Sequence, residues 1–257
     1  MAYSEITLAK LQSPYQKIEL TQIHPYGNVA LYLDDAVQFV SGFDDVMYHW
    51  SLATCPAMML GGRPAKALIL GGGDGLAARN LLAFPNIEKV HMVELDPVMV
   101  DFCAKNPIMR QLNKNSFHDP RLTVTVGDAK KWVERTPSEL YDLALLDFPD
   151  PLAPELQDLF APEMYNAVKR HMAPMGEVIA VQSSSAFSDT EEQVTRNLFW
   201  ATGVVPCCLR FRGRWMEDGC IVIAGKGLKR EAVKLPKAYE AKDEKVEKSV
   251  TEMSSVF

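Results

Sequence analysis

Between residues 65 and 225, short apolar segments alternate with helical segments, and this alternation constrains the fold more than any other feature. The apolar segments that precede a helical stretch are AKALILG (65–71), KVHMVEL (89–95), LTVTVG (122–127), YDLALLD (141–147) and EVIAVQSS (177–184). Such alternation is typical of a parallel sheet covered by helices on both faces. Two further segments, VVPCCLRF and CIVIAG, have no helical stretch between them, which predicts an antiparallel hairpin. The pattern predicts an α/β fold on a mostly parallel seven-stranded sheet.

The N-terminal part has a different pattern. Residues 17–40 alternate partly with period two and turn at HPYGN, which predicts a small antiparallel β region. Residues 44–59 begin with two aspartates and continue with helix formers, which predicts a helix capped by an aspartate. Three parts are therefore expected: a β region with a linking helix (1–60), an α/β domain (61–227) and a charged, solvated tail (228–257).

Charge and cysteine content exclude several classes of protein. The net charge of −6 argues against nucleic acid as a main partner, because phosphate binding needs a basic surface. No apolar run reaches the roughly 18 residues of a membrane span, and the N-terminus lacks the apolar core of a signal peptide. The five cysteines show no CxxC spacing, so reduced core thiols, no metal site and a cytoplasmic location are expected.

Polar side chains stand at the carboxyl ends of the predicted parallel strands. In chain order they are Asp74, Glu94, Asp128, Asp147 with Asp150, and Gln182. Ligands of open parallel sheets bind beyond these strand ends. The sequence therefore predicts one polar rim that forms a binding site.

The glycine-rich segment GGGDG (71–75) follows the first of these strands, and Glu94 lies about 20 residues further on. A carboxylate at this spacing accepts hydrogen bonds from ribose hydroxyls, so the pair indicates an adenosine-type ligand. GGGDG does not match the dinucleotide fingerprint. The alternative is a tight strand-to-helix turn with a surface glutamate.

Asp74 narrows the choice of ligand. Its carboxylate would repel a pyrophosphate but attract a sulfonium nucleoside that carries an amine. S-adenosylmethionine also has a carboxylate, and two carboxylates about 4 Å apart repel each other by roughly 1 kcal/mol in water and more at lower dielectric. Decarboxylated S-adenosylmethionine has only the amine. The alternative is an aspartate that only caps the helix starting at Gly75.

The segment DFPDP holds Asp147 and Asp150 three residues apart between prolines. Two carboxylates beside a sulfonium site suit a dicationic amine, and one of them can remove a proton from it. An alkylammonium has a pKa near that of lysine, about 10.4, and its protonated form is not nucleophilic. Tyr48 and His49 could close the site from the other side, although either could equally be a core or surface residue. A cap or turn role is the alternative for Asp147.

These segments, taken together and in order, resemble the spermidine synthase family of polyamine aminopropyltransferases over roughly residues 13–225. The combination is specific; it comprises SPYQ (13–16), FDDVMYH (43–49), LILGGGDGLAARNLL (68–82), VHMVELDPVMVDFC (90–103), DPRLTVTVGDAKKW (119–132) and YDLALLDFPDP (141–151). The resemblance implies a methyltransferase-like Rossmann fold after a small N-terminal antiparallel β region. It also implies aminopropyl transfer from decarboxylated S-adenosylmethionine as co-substrate, with no prosthetic group.

The resemblance assigns roles position by position. The positions implied to hold the donor are Gln16, Gly71, Gly72, Gly73, Asp74, Gly75, Glu94, Asp128 and Ala129, with Glu94 at the ribose and Asp128 at the adenine amino group. Asp147 is implied to deprotonate the acceptor amine, with Tyr48 beside it as the second catalytic residue. Those implied to bind the substrate are His49 (near the aminopropyl group), Asp150, Gln182 and Trp215.

Three departures from the family pattern bear on the acceptor. Phe148 and Pro149 stand inside a motif that commonly reads D-[ST]-x-D-P. DFPDP looks more like the branch fused to an N-terminal membrane region, although no membrane region is expected in this sequence. Trp50 stands where a glutamate is frequent. The segment GRWMEDG replaces a tyrosine-bearing stretch, with Trp215 as its nearest aromatic.

The expected acceptor is putrescine, which would give spermidine and 5′-methylthioadenosine. A methyltransferase on the same fold and a non-catalytic polyamine-binding homologue are the alternatives. A small-molecule amine is the expected partner, without nucleic acid or membrane, and a homodimer is expected because members of the family often form dimers.

Overall fold

The N-terminal β region is a four-stranded antiparallel sheet in a computed structural model that describes residues 3–62, 64–151, 154–174 and 178–234. Its strands, in spatial as in chain order, are β1 (Ser4–Gln12), β2 (Lys17–His24), β3 (Val29–Leu33) and β4 (Ala36–Val40). The sequence pattern predicted an antiparallel β region over residues 17–40, where the last three lie. It missed β1 because this edge strand is exposed along most of its length and so has no buried face to impose an alternating pattern.

The second sheet has seven strands in the order β10-β11-β9-β8-β5-β6-β7. Their bounds are β5 (Lys66–Gly71), β6 (Lys89–Glu94), β7 (Leu122–Val126), β8 (Leu143–Asp147), β9 (Val178–Ser185), β10 (Cys207–Phe211) and β11 (Gly219–Gly225). Strands β5 to β9 pair in parallel, and β11 pairs antiparallel with both β9 and β10. The predicted α/β fold and its C-terminal antiparallel hairpin are confirmed.

Strand order also fixes where a ligand can bind. The chain runs from β5 outward through β6 and β7, then returns to the other side of β5 to form β8. Connections leave a parallel sheet in opposite directions at such a reversal, which opens a crevice at the carboxyl ends of the two central strands. The crevice therefore lies beyond Gly71 and Asp147, which are paired in register.

Helices cover both faces of this sheet. Their bounds are α1 (Phe43–His49), α2 (Cys55–Met59), α3 (Leu76–Leu82), α4 (Pro97–Lys105), α5 (Pro107–Leu112), α6 (Ala129–Val133), α7 (Pro154–Gln157), α8 (Pro162–Arg170) and α9 (Asp189–Thr202). A π-helical segment, Trp50–Thr54, joins α1 to α2. None of the helices in the described ranges is long and apolar enough to cross a membrane.

The predicted aspartate cap of the first helix is wrong. The N-cap position is Gly42, which has a φ of 98° and supplies no side-chain hydrogen bond. Asp44 and Asp45 lie inside the first turn, and both are buried. Burying a carboxylate is unfavourable unless it is paired, so these two side chains bind partners elsewhere in the fold instead of the helix end.

A shared apolar cluster attaches the N-terminal sheet to the α/β domain. Leu20 and Leu31 of that sheet are fully buried in one cluster with Met99 and Phe102 of α4. Each buried leucine side chain contributes about 1.5–3 kcal/mol relative to an exposed one. This contact fixes the position of the β1–β2 turn, which carries Gln16, relative to the crevice.

The predicted solvated tail begins with a segment that packs against the protein. Leu228 and Val233 lie against the main core, and the Lys229 N–H donates to the Met59 carbonyl at 2.8 Å. This first part of the predicted tail is packed and not solvated, because Leu228 and Val233 are partly buried against the core. Residues 235–257 of the predicted tail lie outside the described residues.

Candidate active site

Glycine is required where β5 meets β8. Gly71 has a φ of 86°, and a Cβ at this position would lie 2.1 Å from the backbone oxygen of Asp147. Gly72 has a φ of 72°, and a Cβ there would lie 3.2 Å from Asp147 Oδ2. Only glycine allows this backbone to approach so closely with a left-handed conformation. The GGGDG loop therefore packs directly against the aspartate that ends β8.

Asp74 makes the capping contact that the sequence left open, and its role toward a ligand stays a prediction. Its Oδ1 accepts a hydrogen bond from the Leu76 N–H at 2.8 Å, which satisfies a donor in the first turn of α3. Its Oδ2 lies 3.9 Å from His49 Nε2, and the side chain is 14% exposed. Burial raises the pKa of Asp74, against the lowering effect of His49. One oxygen thus holds the helix start while the other faces the crevice.

Asp147 and Tyr48 are joined by a short hydrogen bond. The Tyr48 hydroxyl donates to Asp147 Oδ1 at 2.5 Å. Burial, followed by the charge of Asp74, raises the pKa of Asp147 to about 6, although His49 and the Tyr48 hydroxyl both lower it. Burial and the neighbouring carboxylates hold the pKa of Tyr48 well above its usual range, so its hydroxyl keeps its proton. Asp147 is therefore ionised at neutral pH and is a stronger base than an ordinary aspartate.

His49 is held by two residues that the sequence analysis did not identify as site residues. Its Nδ1 lies 2.9 Å from both the carbonyl oxygen and Oδ1 of Asp45. The Asp45 carboxylate also accepts two hydrogen bonds from Arg79 of α3, at 3.0 and 3.1 Å. The i,i+4 spacing of Asp45 and His49 on a helix was a usable signal for this pair. No sequence signal pointed to Arg79, which comes from another element.

Glu94 lies against the middle of the glycine loop. Its Oε1 accepts from the Asp96 N–H at 2.9 Å, and a Cβ at Gly73 would lie 2.9 Å from its carboxyl group. Burial raises the pKa of Glu94 to about 7, although backbone N–H groups lower it. The structure thus brings Glu94 and GGGDG together, as an adenosine site requires.

Glu94→Gln should stabilise the ligand-free protein above pH 7. The folded-state pKa of about 7 lies above the ordinary value of 4.5, so stability is lost as pH rises across this range. Glutamine retains an oxygen for the Asp96 N–H but carries no charge, so we expect a gain of about 1–3 kcal/mol at pH 8 and little gain at pH 5. Urea unfolding at both pH values measures this, with exposed Glu88→Gln as the control. The same pH dependence in wild type and Glu94→Gln would contradict the assignment.

Three other predicted donor-binding residues are held by contacts within the protein. Gln16 reaches from the N-terminal sheet and donates to Asp96 Oδ2 at 3.0 Å. Asp128 caps α6, since its Oδ1 accepts from the N–H groups of Lys130 and Lys131 at 2.8 and 3.3 Å. Ala129 follows it and packs against the core. Their contacts with a nucleoside stay predictions.

Gln182 orders the DFPDP loop. Its side chain is buried, and its Nε2 donates to Asp150 Oδ1 at 2.7 Å and to the Phe148 carbonyl at 3.0 Å. Phe148 is buried in the apolar cluster on the other face of the sheet. The loop is thus fixed from both sides, and the predicted contact of Gln182 with an amine stays a prediction.

Trp215 lies against the N-terminal sheet. Its indole makes edge contacts with the rings of Tyr3 and Tyr26, at centroid distances of 5.8 and 5.1 Å. The backbone N–H groups of Trp215 and Arg214 donate to the carboxylate of Asp44 at 2.9 and 2.6 Å. The buried Asp44 therefore anchors the segment between β10 and β11. The predicted contact of Trp215 with the acceptor stays a prediction.

A group of thiols and one carboxylate lies away from the crevice. The ligand atoms of Glu191, Cys208 and Cys220 lie within 4.8 Å of one another, the only such group found within the described ranges. The Arg210 Nε, however, donates to both oxygens of Glu191, at 3.1 and 3.0 Å. This ion pair already balances the carboxylate charge. All five cysteines are free and buried, as the sequence predicted.

The family of the chain follows from its match to a family model. The model described as "Spermine/spermidine synthase domain" matches residues 45–199, which include the GGGDG loop, Glu94 and DFPDP. The chain belongs to the spermine/spermidine synthase family. Its predicted relationship is thereby confirmed on the segment that builds the crevice.

Named relatives agree with this membership. Polyamine aminopropyltransferase 2 of Aquifex aeolicus (strain VF5) is 41% identical over 189 residues, which are 74% of this chain and 37% of that protein. The polyamine aminopropyltransferase of Oceanobacillus iheyensis is 35% identical over 198 residues, 77% of this chain and 36% of that protein. The chain thus spans little more than a third of the length of these two relatives.

Solved structures of the spermine/spermidine synthase family share the fold. A spermidine synthase in complex with the transition-state analogue AdoDATO has a TM-score of 0.79 and 24% identity, covering 98% of this chain and 85% of that one. Spermidine synthase from Thermotoga maritima has a TM-score of 0.77 and 24% identity, covering 95% of this chain and 83% of that one.

Proposed function

We propose that this member of the spermine/spermidine synthase family transfers the aminopropyl group of decarboxylated S-adenosylmethionine to a di- or polyamine, with putrescine as the first acceptor to test. The observation that carries the proposal is the pairing of a raised-pKa base, Asp147, with a crevice-facing carboxylate, Asp74, beside the glycine loop. The relatives named polyamine aminopropyltransferase support this reaction class.

Each half of the donor has a complementary surface. The adenosine lies along the glycine loop, with its ribose at Glu94 and its adenine at Asp128. The aminopropyl ammonium lies between Asp74 and His49. Because the ammonium is positive and Asp74 is an anion, the pair gains a charge-assisted hydrogen bond. A donor that kept its carboxylate would be repelled there.

The acceptor enters between Tyr48 and the DFPDP loop. Asp147 takes a proton from one ammonium of the acceptor, while Asp150 binds the other. The freed nitrogen lone pair attacks the aminopropyl carbon next to the sulfonium, and the C–S electrons move to sulfur. The leaving group is neutral 5′-methylthioadenosine. Holding nucleophile and carbon in line supplies much of the rate.

The contacts of Asp147 and Asp74 weigh against both alternatives. A methyltransferase would keep the donor carboxylate, which Asp74 disfavours. A non-catalytic polyamine-binding protein would need carboxylates for charge but no tuned base. Asp147 is held by the hydrogen bond from Tyr48, and the raised pKa of Asp147 suits proton removal at neutral pH.

Assembly and location are part of the proposal. A homodimer is supported by the edge strand β1, which presents the exposed side chains of Ile6 and Leu8. A cytoplasmic location is supported by the five buried free thiols. A small-molecule amine is the proposed partner.

The protein should release 5′-methylthioadenosine from decarboxylated S-adenosylmethionine only when an amine is added. Incubation with putrescine, cadaverine, agmatine or spermidine, followed by mass spectrometry, identifies the acceptor. The matched control replaces the donor by S-adenosylmethionine. A methylated product in that control, with no aminopropylated amine from the whole panel, would establish the methyltransferase alternative instead.

A further inference from the structure

His49 has its ring orientation fixed from one side. Both atoms within 2.9 Å of its Nδ1 are acceptors, the carbonyl oxygen and Oδ1 of Asp45, so Nδ1 carries a proton. Asp45 is itself clamped by two hydrogen bonds from Arg79, whose guanidinium also donates to the Leu112 carbonyl at 3.0 Å. The imidazole therefore presents only Nε2 to the crevice.

On its other side, His49 faces Asp74. The 3.9 Å between Nε2 and Asp74 Oδ2 is longer than a hydrogen bond, so these two atoms do not bond directly. Two acceptors at this separation can both accept from one ammonium group at ordinary lengths of about 2.9 Å. Nε2 can accept only when it has no proton.

We infer that Asp45 is a positioning residue that makes His49 a proton-releasing partner of Asp74: His49 is an imidazolium in the ligand-free site and loses its Nε2 proton when the donor's ammonium binds between them. The inference rests on the proposed function, because it takes decarboxylated S-adenosylmethionine as the donor. It adds a specificity mechanism to that function.

The charged groups around His49 support this proton balance. Burial lowers the pKa of His49, but the hydrogen bond to Asp45 and the charges of Asp74 and Asp45 outweigh burial and Arg79, so that its pKa is raised. The other titratable groups nearby are the protonated Tyr48, whose ring lies 4.9 Å from the imidazole, and Asp147 at the end of β8. A cation bound at Asp74 adds a positive charge and lowers the pKa of His49.

Donor affinity is therefore linked to pH. If binding releases one proton from His49, the donor affinity rises about tenfold per pH unit. This holds between the pKa of His49 in the complex and its pKa in the free protein. S-adenosylmethionine should behave differently, because its carboxylate can accept a hydrogen bond from the imidazolium. The preference for the decarboxylated donor should consequently increase as pH rises.

Calorimetry without acceptor amine tests the inference. Titrating decarboxylated S-adenosylmethionine in two buffers of different ionisation enthalpy gives the number of protons released. Over the pH range where His49 titrates, we expect the wild-type protein to release protons when the donor binds. Asp45→Asn and His49→Gln should lose this proton release. Release from Asp74 and Asp147, whose pKa values His49 lowers, should rise when the imidazolium is lost, so a fall in proton release isolates His49. Asp44→Asn, which alters the adjoining buried carboxylate but no contact of His49, should keep the wild-type release.

A second measurement does not need the donor. An NMR titration of the His49 imidazole should show a lower pKa in Asp45→Asn than in wild type, and thermal unfolding checks that the variant is folded. If Asp45→Asn does not fold, the release measured with His49→Gln decides the case. Donor binding with equal proton release in wild type and His49→Gln would overturn the inference and leave the proposed function standing. Failure of wild type to bind the donor would overturn both.

Discussion

Asp147→Asn should lower turnover by about 10²-fold or more, the usual loss when a general base is removed. Asparagine keeps an oxygen that can accept from the Tyr48 hydroxyl, so the fold and the donor site should be retained. What is lost is the proton acceptor. Only the small fraction of amine that is already unprotonated can then attack.

The pH profile makes this test specific. Because the pKa of Asp147 is about 6, wild-type turnover should be present above pH 6 and fall as pH drops through that value. Turnover of Asp147→Asn should recover partly at high pH, where free amine becomes abundant. Asp150→Asn is the matched comparison in the same loop and should mainly raise KM for the amine. Wild-type turnover by Asp147→Asn at neutral pH would remove Asp147 from the mechanism.

Asp74→Asn should change donor choice more than it changes adenosine binding. Affinity for decarboxylated S-adenosylmethionine should fall by about 1–3 kcal/mol, roughly 5–150-fold, because a charged hydrogen bond is lost. Affinity for S-adenosylmethionine should fall less, or even rise, because the repulsion between its carboxylate and that of Asp74 is removed. Methylthioadenosine has no amine at this end, so its affinity should be nearly unchanged.

The structure shows why asparagine is the right replacement. Its side-chain oxygen can still accept from the Leu76 N–H, so the start of α3 is preserved while the charge at Oδ2 is removed. Calorimetry of the three ligands on both proteins measures the effect. Equal losses for all three would mean that Asp74 only shapes the turn, and the electrostatic explanation of donor choice would fail.

The sequence predicted those features that depend on local pattern. Strand-end positions placed Asp74 and Asp147 at one sheet edge, because apolar strands of a parallel sheet are buried on both faces and stand out in the sequence. The edge strand β1 has no such signal. The aspartates of α1 were misread as caps because capping preferences are local, whereas the Asp45–Arg79 pair joins residues 34 positions apart.

The contact of Gly71 with Asp147 has a mechanical consequence. Neighbouring strands of a sheet lie about 4.8 Å apart, so the GGGDG loop and Asp147 are held one strand spacing apart at the ends of adjacent strands β5 and β8. Thermal motion of the sheet moves the loop and Asp147 together and leaves the distance between them nearly constant. The N-terminal sheet is attached by side-chain packing and by the hydrogen bond from Gln16 to Asp96, so loosening these contacts should slow capture of the substrates while the chemical step keeps its rate.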